Sequence, residues 1–209
     1  MFDLDGTLVD TAQDITNALN FAIEPYDIKI LTVKDTIKLI GEGISRLVEK
    51  VLPVEKMHLK SNVMKRFLEH YSEHLTNNSK EYPHIKETLE NLTTVKKAVI
   101  SNKKEDLSKK LLEKLGLSEY FDLIIGSDIA GERKPSPVPV LYVVAKLGLS
   151  PEESVIVGDS NYDMEAGKRA GVRTIAVTYG YRPRENLIGA DYIIDDIREL
   201  IPLVHLLDQ

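Results

Sequence analysis

Five short apolar runs, separated by helix-patterned stretches, constrain this chain more than any other feature. They are Lys97-Ala98-Val99-Ile100-Ser101-Asn102, Leu123-Ile124-Ile125-Gly126-Ser127, Val155-Ile156-Val157-Gly158-Asp159, Thr174-Ile175-Ala176-Val177 and Tyr192-Ile193-Ile194. None alternates apolar with polar, so each strand has both faces covered, and helices between consecutive strands supply the cover. Helical spacing over residues 84–92, 107–115 and 138–147, and again after Asp159, fits that role. Gly116, Gly148 and Gly171 follow three of these stretches as C-caps. The pattern predicts an α/β fold: a Rossmann-like, three-layer core with a mostly parallel sheet.

Before Pro83 the chain has a different character. From Thr11 to Tyr82 every recognisable element is helical. Ile15, Ala18, Leu19 and Ala22 mark one stripe; Ile37 through Val51 mark another, broken by Gly41 and Gly43; Met64, Phe67, Leu68, Tyr71 and Leu75 mark a third. Only the first eleven residues belong with the sheet, as an apolar pair that runs straight into Asp3-Leu4-Asp5-Gly6. The expected division is a core of residues 1–11 and 83–209 and a helical insert of residues 12–82. With only Met1 and Phe2 before Asp3, the first strand is short or begins upstream, and a version extended at its N-terminus is expected to melt higher.

The 209 residues are 43% hydrophobic and 29% charged, with a net charge of −6, which argues against nucleic-acid binding by a basic face. Any phosphate site must be built locally from a few lysines, arginines and backbone N–H groups. There is no cysteine, which excludes a disulfide framework and thiolate metal sites. No run has the length of a membrane span or the form of a signal peptide. The expectation is a cytoplasmic protein, monomeric or a small homo-oligomer, whose partners are small molecules.

Open α/β sheets bind ligands outside the carboxyl ends of their strands, and four such ends carry chemistry here. The first presents Asp3 and Asp5, the second Ser101 and Asn102, and the third leads through Ser127 and Asp128 to Lys134-Pro135. The fourth presents Asp159 and Asp163. Close carboxylates repel unless a cation or a shared proton relieves them. Three or four of them with one lysine and a small hydroxyl suit a magnesium ion and a phosphate. Taken singly, each end has a plainer explanation: an acidic turn, a strand-end cap, a surface lysine, a helix N-cap. A calcium loop would need its glycine sixth in the motif, whereas Gly6 is fourth.

Asp3-Leu4-Asp5-Gly6-Thr7, Ser101-Asn102, Lys134-Pro135 and Gly158-Asp159-Ser160-x-x-Asp163, in that order, resemble the four motifs of the haloacid dehalogenase superfamily of phosphohydrolases. Leu8-Val9-Asp10-Thr11, Lys134-Pro135-x-Pro137 and Thr178-Tyr179-Gly180-Tyr181-Arg182 are closest to its phosphoglycolate phosphatase-like branch. On this resemblance the insert is an α-helical cap, and the activity is magnesium-dependent hydrolysis of small phosphate monoesters, with 2-phosphoglycolate as the first candidate. Asp3 is then the nucleophile that forms an aspartyl phosphate, and Asp5 the acid and base. Magnesium would sit on Asp3, the backbone carbonyl of Asp5, and Asp159. Ser101, Asn102 through its N–H, and Gly6 through its amide would hold phosphate, with Lys134 as a point charge. Asp163 would orient Asp159 or a metal-bound water, and Thr7 would back-bond to hold the turn. Cap residues Gly41, Gly43, Ser45 and Arg46 are candidates for reading an anionic substrate.

The same aspartyl phosphate would serve a sugar-phosphate mutase, and the motifs do not separate the two. A receiver-type signalling domain also clusters acids and a lysine, but has no use for an insert of this size. His70-Tyr71-Ser72-Glu73-His74 matches the H-x-x-E-H zinc pattern, yet on the inferred helix its histidines flank the apolar stripe on a solvated side. The run from Lys103 to Lys114 is expected to be a solvated helix face.

Overall fold

The computed structural model describes residues 1–207. Its central sheet contains β3 (Ala98–Ile100), β4 (Leu123–Ile125), β5 (Val155–Gly158), β6 (Arg173–Val177) and β7 (Tyr192–Ile194). β4 pairs with β3, and β5 with β6 and β6 with β7, all parallel. The gap between β3 and β5 is closed by residues 1–3: Phe2 bridges to Val99 on one side and Val157 on the other, both parallel. Phe2 N–H donates to Ala98 O at 2.8 Å and Asp3 N–H to Val157 O at 2.9 Å. The short acidic opening of the chain is thus the central strand of a six-strand sheet, and Asp3 stands at its carboxyl end.

Successive strand residues face opposite layers, as a pleated strand requires. Phe2, Val99, Val157 and Ile175 share a core with Ile85 and Leu89 of α5 (Ile85–Asn91), Leu107, Leu111 and Leu112 of α6 (Glu105–Lys114), and Leu200 and Val204 of α9 (Leu200–Leu207). Met1, Ala98, Ile100 and Ile156 face a second core, with Val140, Val143 and Val144 of α7 (Val138–Leu147) and Ala166 and Ala170 of α8 (Asn161–Ala170). This is the expected three-layer arrangement.

The insert is helical as the stripes predict: α1 (Ala12–Ile23), α2 (Val33–Leu39), α3 (Ile44–Val51) and α4 (Lys60–Glu73). Gly41 and Gly43 both have positive φ and separate α2 from α3. α4 packs along α1, burying Ile15, Leu19, Val63, Phe67 and Tyr71. One element departs from the all-helical expectation. β1 (Val9–Asp10) pairs antiparallel with β2 (Lys80–Glu81), so the two chain crossings between sheet and insert are stitched together. Asp14 of α1 reinforces them, accepting hydrogen bonds from both the N–H and Nδ2 of Asn78 and the N–H and Oγ of Ser79, at 2.7–3.1 Å.

Candidate active site

The carboxyl edge of the sheet brings Asp3, Asp159, Asp163 and Lys134 together. Lys134 reaches in from the loop before α7, and its side chain is only 2% exposed. Its ammonium donates to Asp3 Oδ1 at 2.7 Å, Asp163 Oδ1 at 2.6 Å and Ile100 O at 2.7 Å. An ammonium has three protons, so this lysine is saturated and acts on Asp3 as a fixed positive charge. Burial opposes its charged form, but Asp163 and Asp3 outweigh burial and raise its pKa, keeping it an ammonium.

Each member is held by neighbours in sequence or by the next strand end. Asn102 brackets the lysine backbone: Lys134 N–H donates to its Oδ1 at 3.0 Å, and its Nδ2 donates to Lys134 O at 2.9 Å and Gly41 O at 2.6 Å. Asp163 and Ser160 form a capping box at the start of α8, with Ser160 Oγ donating to Asp163 Oδ2 at 2.6 Å. Asp159 accepts from Tyr181 N–H at 2.6 Å and, at 3.4 Å, from Thr7 Oγ1. Gly6 and Gly180 close tightly on Asp159. A Cβ at either would run into its carboxylate, and Gly6 in addition has a φ of 93°.

Asp5 belongs to a second group, a short way along the same edge. Its Oδ1 accepts from Thr11 Oγ1 at 2.6 Å and from Lys103 Nζ at 2.8 Å. Lys103 also donates to the Tyr71 hydroxyl of α4 at 2.9 Å, with its ammonium 4.8 Å from the ring centroid. Tyr181 ties both groups to the root of the insert, its hydroxyl accepting from Thr11 N–H at 2.7 Å and donating to Asp10 Oδ1 at 3.1 Å. Both groups open onto one cavity. Its floor is the sheet edge, and its roof is apolar: Ile15, Leu39, Ile44, Leu47, Phe67 and Leu68 of the insert.

Several expected roles are corrected by these contacts. Arg46 is not in the cavity; its side chain is 65% exposed and pairs with Glu49 at 2.8 Å, one turn along α3. Gly41 and Gly43 do line the cavity, and Ser45 does not. The Gly6 amide is committed within its own turn, donating to Val9 O at 2.9 Å, so it does not face a phosphate. Thr7 directs its hydroxyl to Asp159 rather than back-bonding. The Asp5 side chain lies with Thr11 and Lys103, which leaves its expected metal contact to the backbone carbonyl, and Asp163 joins Asp3 and Asp159 as a third clustered carboxylate. Ser101 is buried at the cavity, its Oγ accepting from Lys103 N–H.

The run from 103 to 114 is not a solvated face throughout. Lys103 is buried at the site, and Leu107, Ser108, Leu111 and Leu112 are buried in α6. His70 and His74 stack on each other with ring centroids 4.1 Å apart, and Phe21 stacks on His70 at 4.3 Å, so these rings pack together rather than flank the stripe in solvent. Lys103, Tyr71, Thr11 and Tyr181 are the site residues that motif reading left without a role.

The donor set fits a hard divalent cation. One oxygen from each of Asp3, Asp159 and Asp163 lies within 4.8 Å of the others, all buried, and oxygen-only ligation suits magnesium. Among the described residues no ammonium or guanidinium bonds Asp159; burial first, and then Asp163, push its pKa up to about 7. Burial likewise raises Asp3 well above the carboxylate range despite Lys134, with Asp163 and Asp159 adding to the rise. A bound cation would relieve this crowding directly.

Comparison with known proteins agrees with the geometry. Residues 1–177 match the model of the haloacid dehalogenase-like hydrolases. A phosphoglycolate phosphatase of Aquifex aeolicus is 43% identical over 206 residues, covering 98% of this chain and 95% of that protein. One from Chromobacterium violaceum is 37% identical, covering 97% and 94%. The crystal structure of a predicted phosphoglycolate phosphatase from Haemophilus somnus 129pt superposes with a TM-score of 0.87 at 30% identity, covering 97% of this chain and 95% of that one. With its four motifs gathered at one sheet edge and its whole length matched by such relatives, the chain belongs to the haloacid dehalogenase-like hydrolase family.

Proposed function

We propose that this hydrolase is a magnesium-dependent phosphatase of small phosphorylated metabolites, acting through an aspartyl phosphate on Asp3, with a carboxylated monoester such as 2-phosphoglycolate as its substrate. The observation that carries this reading is the placement of Asp3: a buried carboxylate, fixed by Lys134 at 2.7 Å, beside Asp159 and open to the same cavity as Asp5. Residues 12–82 act as a cap over a core of 1–11 and 83–209, and the apolar roof supports this by excluding bulk water.

Asp3 attacks phosphorus as the bond to the leaving oxygen breaks, and Asp5 gives that oxygen its proton. Asp5 then takes a proton from the water that attacks the aspartyl phosphate, releasing phosphate and restoring Asp3. Lys134 holds Asp3 in line, and the Ser101 hydroxyl donates to a phosphoryl oxygen. Magnesium, held by Asp3 and Asp159 with Asp163 behind them, would screen the carboxylate from the phosphate it approaches. In a metabolite phosphatase screen with magnesium, wild type is expected to turn over small monoesters. Asp3→Asn is expected to lose on the order of a thousandfold or more in kcat. Activity that survives in Asp3→Asn overturns the assignment of the nucleophile.

A further inference from the structure

Lys103, Lys104, Lys134 and Arg182 line the cavity; Lys104 is exposed, and of the two buried ammoniums only Lys103 keeps a proton without a partner among the described residues. Lys134 is saturated by Asp3, Asp163 and Ile100 O. Arg182 spends its two terminal nitrogens on Ile37 O and Ile40 O, capping the carboxyl end of α2. Lys103, with a side chain 7% exposed, makes two hydrogen bonds among the described residues, to Asp5 and Tyr71. Its third proton has no such partner in a cavity it lines. A buried donor left unmatched costs stability, so the position calls for an acceptor that comes and goes.

Tyr71 supplies a second donor at the same place. Its hydroxyl accepts from Lys103, and its own proton has no acceptor among the described residues; its ring is 1% exposed against Phe67. Burial pushes its pKa up to about 12, so it stays a phenol at neutral pH. The two donors lie 2.9 Å apart, one from the sheet and one from the insert, beside the carboxylate that protonates the leaving oxygen. Around them the roof is hydrocarbon.

We infer that Lys103 and Tyr71 form the subsite for the leaving group, receiving a carboxylate carried one carbon from the ester oxygen, and so set the preference for anionic over neutral leaving groups. This rests on the phosphatase reading above and deepens it. The apolar roof admits a small leaving group, and a carboxylate offers two oxygens to the two donors. A neutral leaving group would leave the ammonium's third proton unmatched, which is how buried polar sites reject analogues.

The test compares kcat/KM for 2-phosphoglycolate and for 2-hydroxyethyl phosphate, its counterpart with an uncharged leaving group, in wild type, Lys103→Met, Lys103→Arg and Tyr71→Phe. Wild type should prefer the carboxylated substrate. Lys103→Met should cut that preference by about tenfold or more, chiefly through KM. Tyr71→Phe should cut it by about threefold, and Lys103→Arg should keep most of it. A Lys103→Met variant that loses the same factor on both substrates would show a residue that only positions Asp5, and one that loses activity on neither would show no role; either overturns the inference while the phosphatase reading stands. A wild type inactive on both, and on p-nitrophenyl phosphate, overturns both readings. Melting curves identify a variant that fails to fold, and Tyr71→Phe, which keeps the ring, then decides.

Discussion

Lys134 and Lys103 are both buried ammoniums at the carboxyl edge of one sheet, and they are built differently. Lys134 draws every partner from the sheet and the first turn of α8: Ile100, Asp3 and Asp163. Lys103 holds Asp5 on the sheet and Tyr71 on α4 of the insert, and keeps a proton in hand. On the proposed reading, the lysine that meets the nucleophile takes all its partners from the α/β core, whereas the leaving-group subsite is complete only with the insert in place. Chemistry and selection would then reside in separately supported parts, a division that would let the roof vary with little disturbance of the nucleophile.

The largest effect should come from the saturated lysine. Lys134→Met strands the buried carboxylates of Asp3 and Asp163 without their ammonium; kcat should fall by about a thousandfold, and urea unfolding should show a loss of about 3–5 kcal/mol. A variant that stays stable and loses only substrate preference would erase the contrast between the two lysines. The root of the insert comes next. Asp14→Ala removes the acceptor of four donors, two of them from buried Ser79, and should cost about 2–3 kcal/mol.

Asp14 also carries a pH signature. Burial alone would raise its pKa, but the donors on Asn78 and Ser79 outweigh burial and lower it. A lowered carboxylate contributes stability that is present above its unfolded pKa of about 3.9 and is lost as pH falls through the folded value. Asp14→Ala should therefore show a shallower loss of stability below about pH 4 than wild type, measured by denaturant unfolding across that range. Substrate preference should suffer more than p-nitrophenyl phosphate turnover, because Asp14 supports the insert's half. The smallest effect belongs to Arg46→Ala. That side chain is exposed and pairs with Glu49 outside the cavity, so kcat/KM should stay within about twofold.

Much of the core site was legible because its residues sit at fixed offsets from strand ends: a buried apolar run followed at once by Asp159, or by Ser101 and Asn102, leaves little freedom in where those side chains emerge. The strands and their helical cover were legible for the same reason, whereas their order in the sheet and the place of residues 1–3 between β3 and β5 come from the structure. Lys103 was not. It stands at the head of a Lys- and Glu-laced stretch whose later members, Lys104, Asp106, Lys109 and Lys110, are indeed exposed. What draws it inward is a tertiary pairing with Asp5 and Tyr71, 98 and 32 residues away. Periodicity carries no trace of such a contact. Arg46 failed in the other direction: an arginine near two glycines suited anion binding by type, but the turn of α3 aims it at Glu49. The histidine pair was placed on a helix correctly, yet aromatic stacking with Phe21 could not be read from its own spacing.

The central strand has a consequence for how the molecule is made. Residues 1–3 find their neighbours in β3 and β5, and the backbone contact from Met1 to Val155 spans 154 residues. Closing a loop of that length has an entropic cost before any contact is gained, and the pairing with β5 cannot form until the chain through Val157 has been synthesised. Until then the two flanking strands present open edges to one another and to other chains. The residue proposed to begin catalysis thus lacks its β5 neighbour and the Lys134–Asp163 pair until the chain through Asp163 exists, and a shorter chain carries no complete site.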